Sequence, residues 1–191
     1  MDTDKQQARA RLRMLRREHV ATLDTAIRAL LFLRPPQALL EMIGPGAMVG
    51  LYSAMPDEAP ANGYARFLAE RGHALVLPRF HDRASPMEFA RFTDPFGESD
   101  LEVGPFGVLQ PGVDAERLAP DVIFVPLLGF TADGGRIGQG GGHYDRHLAA
   151  RSGITAIGMA WDAQLVDALP LEEHDARLDA VVTPTRLYGP F

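Results

Sequence analysis

The spacing of apolar positions changes period several times along the chain. Residues 4–20 have a helical pattern. Lys5, Arg9, Arg13 and Arg16 fall in one narrow angular sector, and Ala8, Leu12, Leu15 and His19 form a second stripe. Arg11, Arg13, Arg16 and Arg17 read as a solvated basic face. Asp24–Leu33 continues as a second helical segment, ended by Arg34-Pro35-Pro36. Ala47–Ser53 reads as a strand, and Met55–Pro60 as a loop leaving its C-terminal end, the edge where open α/β sheets seat ligands. Gly63–Arg71 is a short amphipathic helix stopped by Gly72, followed by a strand over His73–Leu77 closed by Pro78. Met87–Thr93 reads as another strand, and Asp94–Pro111, rich in Gly and Pro, as irregular. The apolar run Asp121–Val125 is a buried strand, Tyr144–Ala150 a helix and Thr155–Trp161 a strand. Ala163–Ala168 reads as a short helix, and Asp179–Thr183 as a last strand before Pro184. Strands alternating with helices predict one α/β domain over residues 1–191. Its expected form is a three-layer α/β/α, Rossmann-like arrangement with a mostly parallel sheet covered on both faces.

Composition narrows the class. The chain has 191 residues, 46% hydrophobic and 23% charged, as in a globular domain with one sizeable core. It has no cysteine, which excludes disulfides, thiolate metal sites and a cysteine nucleophile. A formal net charge of −6 argues against nucleic-acid binding, so a polyanionic ligand would have to be met by local basic groups. No apolar run is long enough for a membrane span, and no apolar segment follows the charges of the first thirteen residues as in a secretory signal. The expectation is a cytoplasmic monomer acting on a small molecule, with no membrane or nucleic-acid partner. The six histidines show no metal-ligand spacing.

The most informative stretch is Val125–Arg146. Pro126 closes a strand, and Gly129, Gly134, Gly135, Gly138, Gly140, Gly141 and Gly142 follow before His143-Tyr144-Asp145-Arg146 opens a helix. So many glycines cost backbone entropy on ordering. What they permit is positive φ and close approach of backbone N–H groups to a ligand. Strand, glycine loop and helix start together suit an anion cradle. Gly-Lys-Ser/Thr is missing, so this is not the common phosphate loop, and loose dinucleotide-type glycine spacings alone say little.

Taken in order, Pro126, Phe130, Gly134, Arg136, Ile137, Gly138, Gly140, Gly142, Tyr144 and Asp145 resemble the signature of the 5-formyltetrahydrofolate cyclo-ligases, also called methenyltetrahydrofolate synthetases. Lys5 with Arg9, then Glu58, Gly72 and Leu77-Pro78, and finally the closing stretch His174–Thr183 resemble the family's other segments in the same order, so the resemblance covers nearly the whole chain. Three places depart from the pattern. Thr131 stands where Asp is usual, His143 where Tyr is usual, and Pro60-Ala61 where Asp-Thr usually follows the substrate-binding Glu.

The resemblance implies ATP- and Mg²⁺-dependent closure of 5-formyltetrahydrofolate to 5,10-methenyltetrahydrofolate, through a phosphorylated formyl intermediate. It implies ATP contacts from Lys5, Arg9, Arg136, Ile137, Gly138, Gln139, Gly140, Gly141, Gly142, His143 and Tyr144, with Arg136 and Tyr144 at the chemistry. Ser53, Glu58, Gln139 and His143 would bind the reduced formyl folate, and Asp145 and Asp175 would hold Mg²⁺. Each residue also has a plainer reading. Lys5 and Arg9 could be solvated, Arg136 a salt bridge at the loop base, and Asp145 a helix cap. Asp175 could be a surface carboxylate, Glu58 a loop acid, Ser53 an ordinary strand end and Tyr144 a packing residue. Met87, Phe89 and Trp161 could wall a pterin site but more readily form core. Two other functions fit the departures: a non-catalytic nucleotide- or folate-binding relative, and an ATP-dependent enzyme for a different small substrate.

Overall fold

A computed structural model describes residues 2–172 and 175–191. Helix α1 (Asp2–Thr22) leads into α2 (Thr25–Leu30), whose first turn is capped by the Asp24 carboxylate accepting from the amides of Ala26 and Ile27. The sequence reading missed α3 (Gln37–Ile43). Helix α2 ends at Leu30, before the expected Leu33, because Leu31 is extended and Phe32 takes φ +58°, and the Pro35-Pro36 pair instead starts α3, Pro36 being its N-cap, where a missing N–H costs nothing.

A seven-stranded sheet forms the centre. It contains β1 (Val49–Gly50), β2 (Leu75–Arg79), β3 (Glu88–Phe92), β6 (Val122–Pro126), β9 (Thr155–Met159), β10 (Ala180–Val182) and β11 (Leu187–Tyr188), in the order β11-β10-β9-β6-β1-β2-β3. The five inner strands pair in parallel, while β3 and β11 run antiparallel along the two edges. Strand β6 shows why the sheet needs cover on both sides. Val122 and Phe124 pack with Tyr64 and Leu68 of α4 (Asn62–Glu70) and with Leu39 and Ile43 of α3. Ile123 and Val125 face the other way, into a cluster that includes Phe130, Tyr144 and Leu148. The last two belong to α5 (His143–Ala149). Helix α1 packs Leu12 against Leu128 and Ile137, over the segment that leaves β6.

Two short hairpins flank the sheet. One, β7 (Gly129–Phe130) with β8 (Arg136–Ile137), lies inside the glycine-rich stretch. The other, β4 (Leu101–Val103) with β5 (Leu109–Pro111), corrects the expectation that 94–111 is irregular. The glycine-bearing segment 104–108 forms a tight turn in which the Gly104 amide donates to the Val108 carbonyl, and the strands either side hold only three residues each. Ala163–Ala168 is not a helix. A 3₁₀ turn over Asp162–Gln164 ends when the Val166 amide bonds the Phe130 carbonyl, drawing the chain onto β7.

The connections place the site. Strand β1 sits between β2 and β6, so the winding of the sheet reverses at β1/β6. Loops leaving neighbouring strands there diverge and open a crevice at their C-terminal ends. Residues 51–61 leave β1 and residues 127–142 follow β6 into that crevice.

Candidate active site

The crevice contains a cavity of about 790 Å³. Its lining includes Lys5, Arg9, Ser53, Glu58, Arg136, Ile137, Gly138, Gln139, Gly140, Gly141, Gly142, His143, Tyr144, Asp145 and Asp175. Residues from α1, the loop after β1, the glycine loop, α5 and the segment before β10 thus meet at one place.

The basic groups occupy one part of the wall. Arg136 is 4% exposed on β8; its Nη2 donates to Asp145 Oδ1 at 2.6 Å. Its Nε is buried and has no partner among the described residues, and the same holds for Arg9 Nε. Both arginines line the cavity, and guanidinium groups with donors still unpaired suit an anionic oxygen ligand. Lys5 lies one helical turn before Arg9 and is also buried. Its Nζ contacts Asp175 Oδ2 at 2.7 Å and Glu172 Oε2 at 2.8 Å. Burial lowers the Lys5 pKa, but the bonds to Asp175 and Glu172 outweigh it, so the net shift is upward and the ammonium stays charged.

The glycine loop lies between these cations. None of the amides of residues 138–142 donates to another described group, so all five are available to a ligand. Gly142 holds φ +63° at the start of α5, and Gly140 holds φ +105°. The Arg9 guanidinium lies beside Gly140, where a Cβ would meet it at an ordinary contact distance of 3.4 Å, so the positive φ and not the space calls for glycine. Gln139 ties the loop to α1 by accepting from Arg13 Nη2 at 3.0 Å.

Glu58 forms the other part of the wall. Only 5% exposed, it accepts from the Met55 amide through Oε2 at 2.9 Å. Tyr144 faces the same space, its phenol pKa driven up by burial and by the Glu58 charge, partly opposed by Arg136. Met87, Phe80 and Phe106 add apolar wall. Phe89 and Trp161 are core, as the plainer reading had it.

Asp145 makes no cap bond to α5; its carboxylate serves Arg136 and, at 3.3 Å, the Ala176 amide. Asp145 and Asp175 are hard oxygen donors in the cavity and fit Mg²⁺ in type. Among the described residues no group of three or more His, Asp or Glu could hold a metal, so such an ion would need phosphate oxygens to complete its shell.

Sequence reasoning missed Arg16. It was assigned to a solvated face, yet it is 2% exposed. Its Nε and Nη2 reach Asp57 Oδ2 at 3.1 and 3.0 Å, and Nη1 donates to the Leu127 carbonyl at 3.2 Å and lies 3.5 Å from Glu58 Oε1. The signal was present: Arg16 is only about 40° around a helix from Leu12, which marks the inward stripe. Arg17, by contrast, is solvated.

Of the departures, Thr131 is buried in the β7–β8 turn, donating to Asp133 Oδ1 at 2.6 Å and away from the cavity lining. Ala61 is the buried N-cap of α4. His143 does line the cavity, edge-on to Phe80 at 4.8 Å and Phe106 at 5.6 Å. His174 of the closing pattern lies outside the described residues. No helix among the described residues is long and apolar enough to cross a membrane.

Comparison with known proteins agrees with this geometry. The 5-formyltetrahydrofolate cyclo-ligase of Escherichia coli K12 is 31% identical over 147 residues, spanning 73% of this chain and 79% of that protein. The mouse enzyme of the same name is 28% identical over 145 residues, spanning 70% and 71%. The solved 5,10-methenyltetrahydrofolate synthetase of Aquifex aeolicus superposes with a TM-score of 0.77 at 26% identity, covering 95% of this chain and 92% of that one. The Mycoplasma pneumoniae synthetase, at 22% identity and a TM-score of 0.67, shares the fold. Residues 1–184 match the model of the 5-formyltetrahydrofolate cyclo-ligase family, and the chain belongs to that family of enzymes.

Proposed function

We propose that this enzyme uses ATP and Mg²⁺ to convert 5-formyltetrahydrofolate to 5,10-methenyltetrahydrofolate, releasing ADP and phosphate. The formyl carbon is amide-like, and its oxygen leaves poorly. The formyl oxygen attacks the γ-phosphorus as the bond to the β,γ-bridging oxygen breaks, and ADP departs. The lone pair of the second folate nitrogen, N10, then attacks the activated carbon. The carbon–oxygen bond breaks, phosphate leaves with the former formyl oxygen, N10 gives up its proton, and the five-membered ring is closed.

Such phosphoryl transfer needs positioning and electrostatics more than a protein nucleophile. The amides of 138–142 and the guanidinium groups of Arg9 and Arg136 would hold the phosphates, with Lys5 adding charge. Arg136 would stabilise the charge that spreads over the transferring group. Glu58, with Oε1 free of any hydrogen bond among the described residues, would accept from the pterin's donor edge, beside Ser53 and His143. Tyr144 would lie between the two substrates. Asp145 and Asp175 would hold Mg²⁺, which neutralises phosphate charge.

One observation carries this reading. Cationic side chains and a buried carboxylate line a single cavity of about 790 Å³ at the reversal of the sheet. The test is to mix the protein with 5-formyltetrahydrofolate, Mg²⁺ and ATP and follow the methenyl chromophore. Formation that requires ATP supports the reading. Binding of either ligand to folded protein without turnover contradicts it and favours a non-catalytic relative.

A further inference from the structure

Helix α1 delivers more than Lys5 and Arg9. Eleven residues beyond Lys5, about 16 Å along the axis, Arg16 leaves the same side of the helix and is buried between the two loops that open the crevice. Its fork grips the Asp57 carboxylate on the loop after β1 through Nε and Nη2, and its third nitrogen bonds the Leu127 carbonyl just past β6. The backbone at both points is independently fixed, because Trp161 Nε1 donates to the Asp57 carbonyl at 3.1 Å and Gln164 Nε2 to the Leu127 carbonyl at 2.7 Å. The guanidinium therefore has one stable seat, and in it Nη1 stands 3.5 Å from Glu58 Oε1. The other oxygen of Glu58 is held by the Met55 amide.

We propose that Arg16 is a positioning residue for the folate substrate, acting through Glu58. A buried carboxylate is stable only beside a counter-charge, and Arg16 supplies it without filling the remaining acceptor directions of Oε1. It also fixes Asp57, the neighbour of Glu58 in sequence, so the carboxylate presents one orientation to the pterin edge. The nucleotide side does not depend on it, since Lys5 is held by Glu172 and Asp175 and Arg136 by Asp145. The consequence is asymmetric: loss of Arg16 weakens the folate and leaves ATP binding intact. This rests on the reading of Glu58 as the folate's seat.

The test measures KM for each substrate, and calorimetric Kd for 5-formyltetrahydrofolate and for a non-hydrolysable ATP analogue, in the parent, R16M, R16K and D57N. R16M is expected to raise KM and Kd for the folate at least tenfold while those for nucleotide stay within twofold. R16K, which keeps the charge but not the fork, should recover part of the loss. If R16M does not fold, D57N, which leaves Arg16 in place with a weaker partner, should raise the folate constants severalfold alone. Equal effects on both substrates, or a fall in kcat and thermal stability with the folate constants unchanged, would show a merely structural role and overturn the proposal. An inactive parent whose folate affinity still depends selectively on Arg16 would overturn the cyclo-ligase reading but not this one. A parent that binds no folate would overturn both.

Discussion

At the scale of single residues, Arg136 is a buried cation in the wall of the cavity. Its Nη2 donates to Asp145, and its Nε has no partner among the described residues. In the proposed role, replacing it with Ala removes a preorganised donor from the transferring phosphoryl group, and such losses lower turnover by about 100- to 1,000-fold. R136A is therefore expected to lose at least about 100-fold in kcat/KM for ATP, and R136K to recover only part, because a point charge does not replace a planar fork. Steady-state kinetics with ATP varied would check both, and near-parental R136A activity would contradict the assignment. Arg136 was legible in the sequence because it stands in the ordered signature that resembles the cyclo-ligase family, and its plainer reading, a salt bridge at the loop base, is also met in its pair with Asp145. Arg16 was not, because it sits at the boundary between a basic and an apolar stripe. Its burial depends on a carboxylate, Asp57, that is far away in sequence. A helical pattern reports which way a side chain points but not what waits for it there.

Among the elements, α5 carries a pH response. His143 and His147 both lie on it, and both pKa values are lowered first by burial and then by a neighbouring arginine, Arg146 and Arg151 respectively; the Met87 backbone opposes this at His147. The folded state therefore takes up these protons later than the unfolded chain. Above about pH 6.5 both states are neutral at these sites. As pH falls below that value, the unfolded chain is protonated first and stability declines through the lowered folded values. Urea midpoints should fall between pH 7 and pH 5, and the slope should be shallower in H147Q. Equal slopes would place the sensitivity elsewhere. Elements with a long apolar period, such as β6 and α4, were legible to within a residue or two. The β4–β5 hairpin was not, because its three-residue strands are too short to display alternation and its turn carries the Gly and Pro that mark irregular chain. Much of Ala47–Ser53 likewise lies outside the ladder, which keeps only Val49–Gly50. Tyr52 and Ser53, past the C-terminal end of β1, line the cavity.

For the molecule as a whole, strands alternating with helices predicted a parallel sheet, but not the order of its strands. Strand order follows from which crossover packs on which face, a long-range choice that short-range pattern does not encode. That order reverses the winding at β1/β6 and brings an N-terminal helix, a glycine loop and a C-terminal acidic segment around one cavity. The central claim is that this shared cavity lets the γ-phosphoryl group pass directly from nucleotide to folate. Substrate labelled with ¹⁸O in the formyl group, turned over with unlabelled ATP and analysed by mass spectrometry of the released phosphate, tests it most directly. The account predicts one ¹⁸O in phosphate for each methenyl product formed. Methenyl product accompanied by unlabelled phosphate would contradict it.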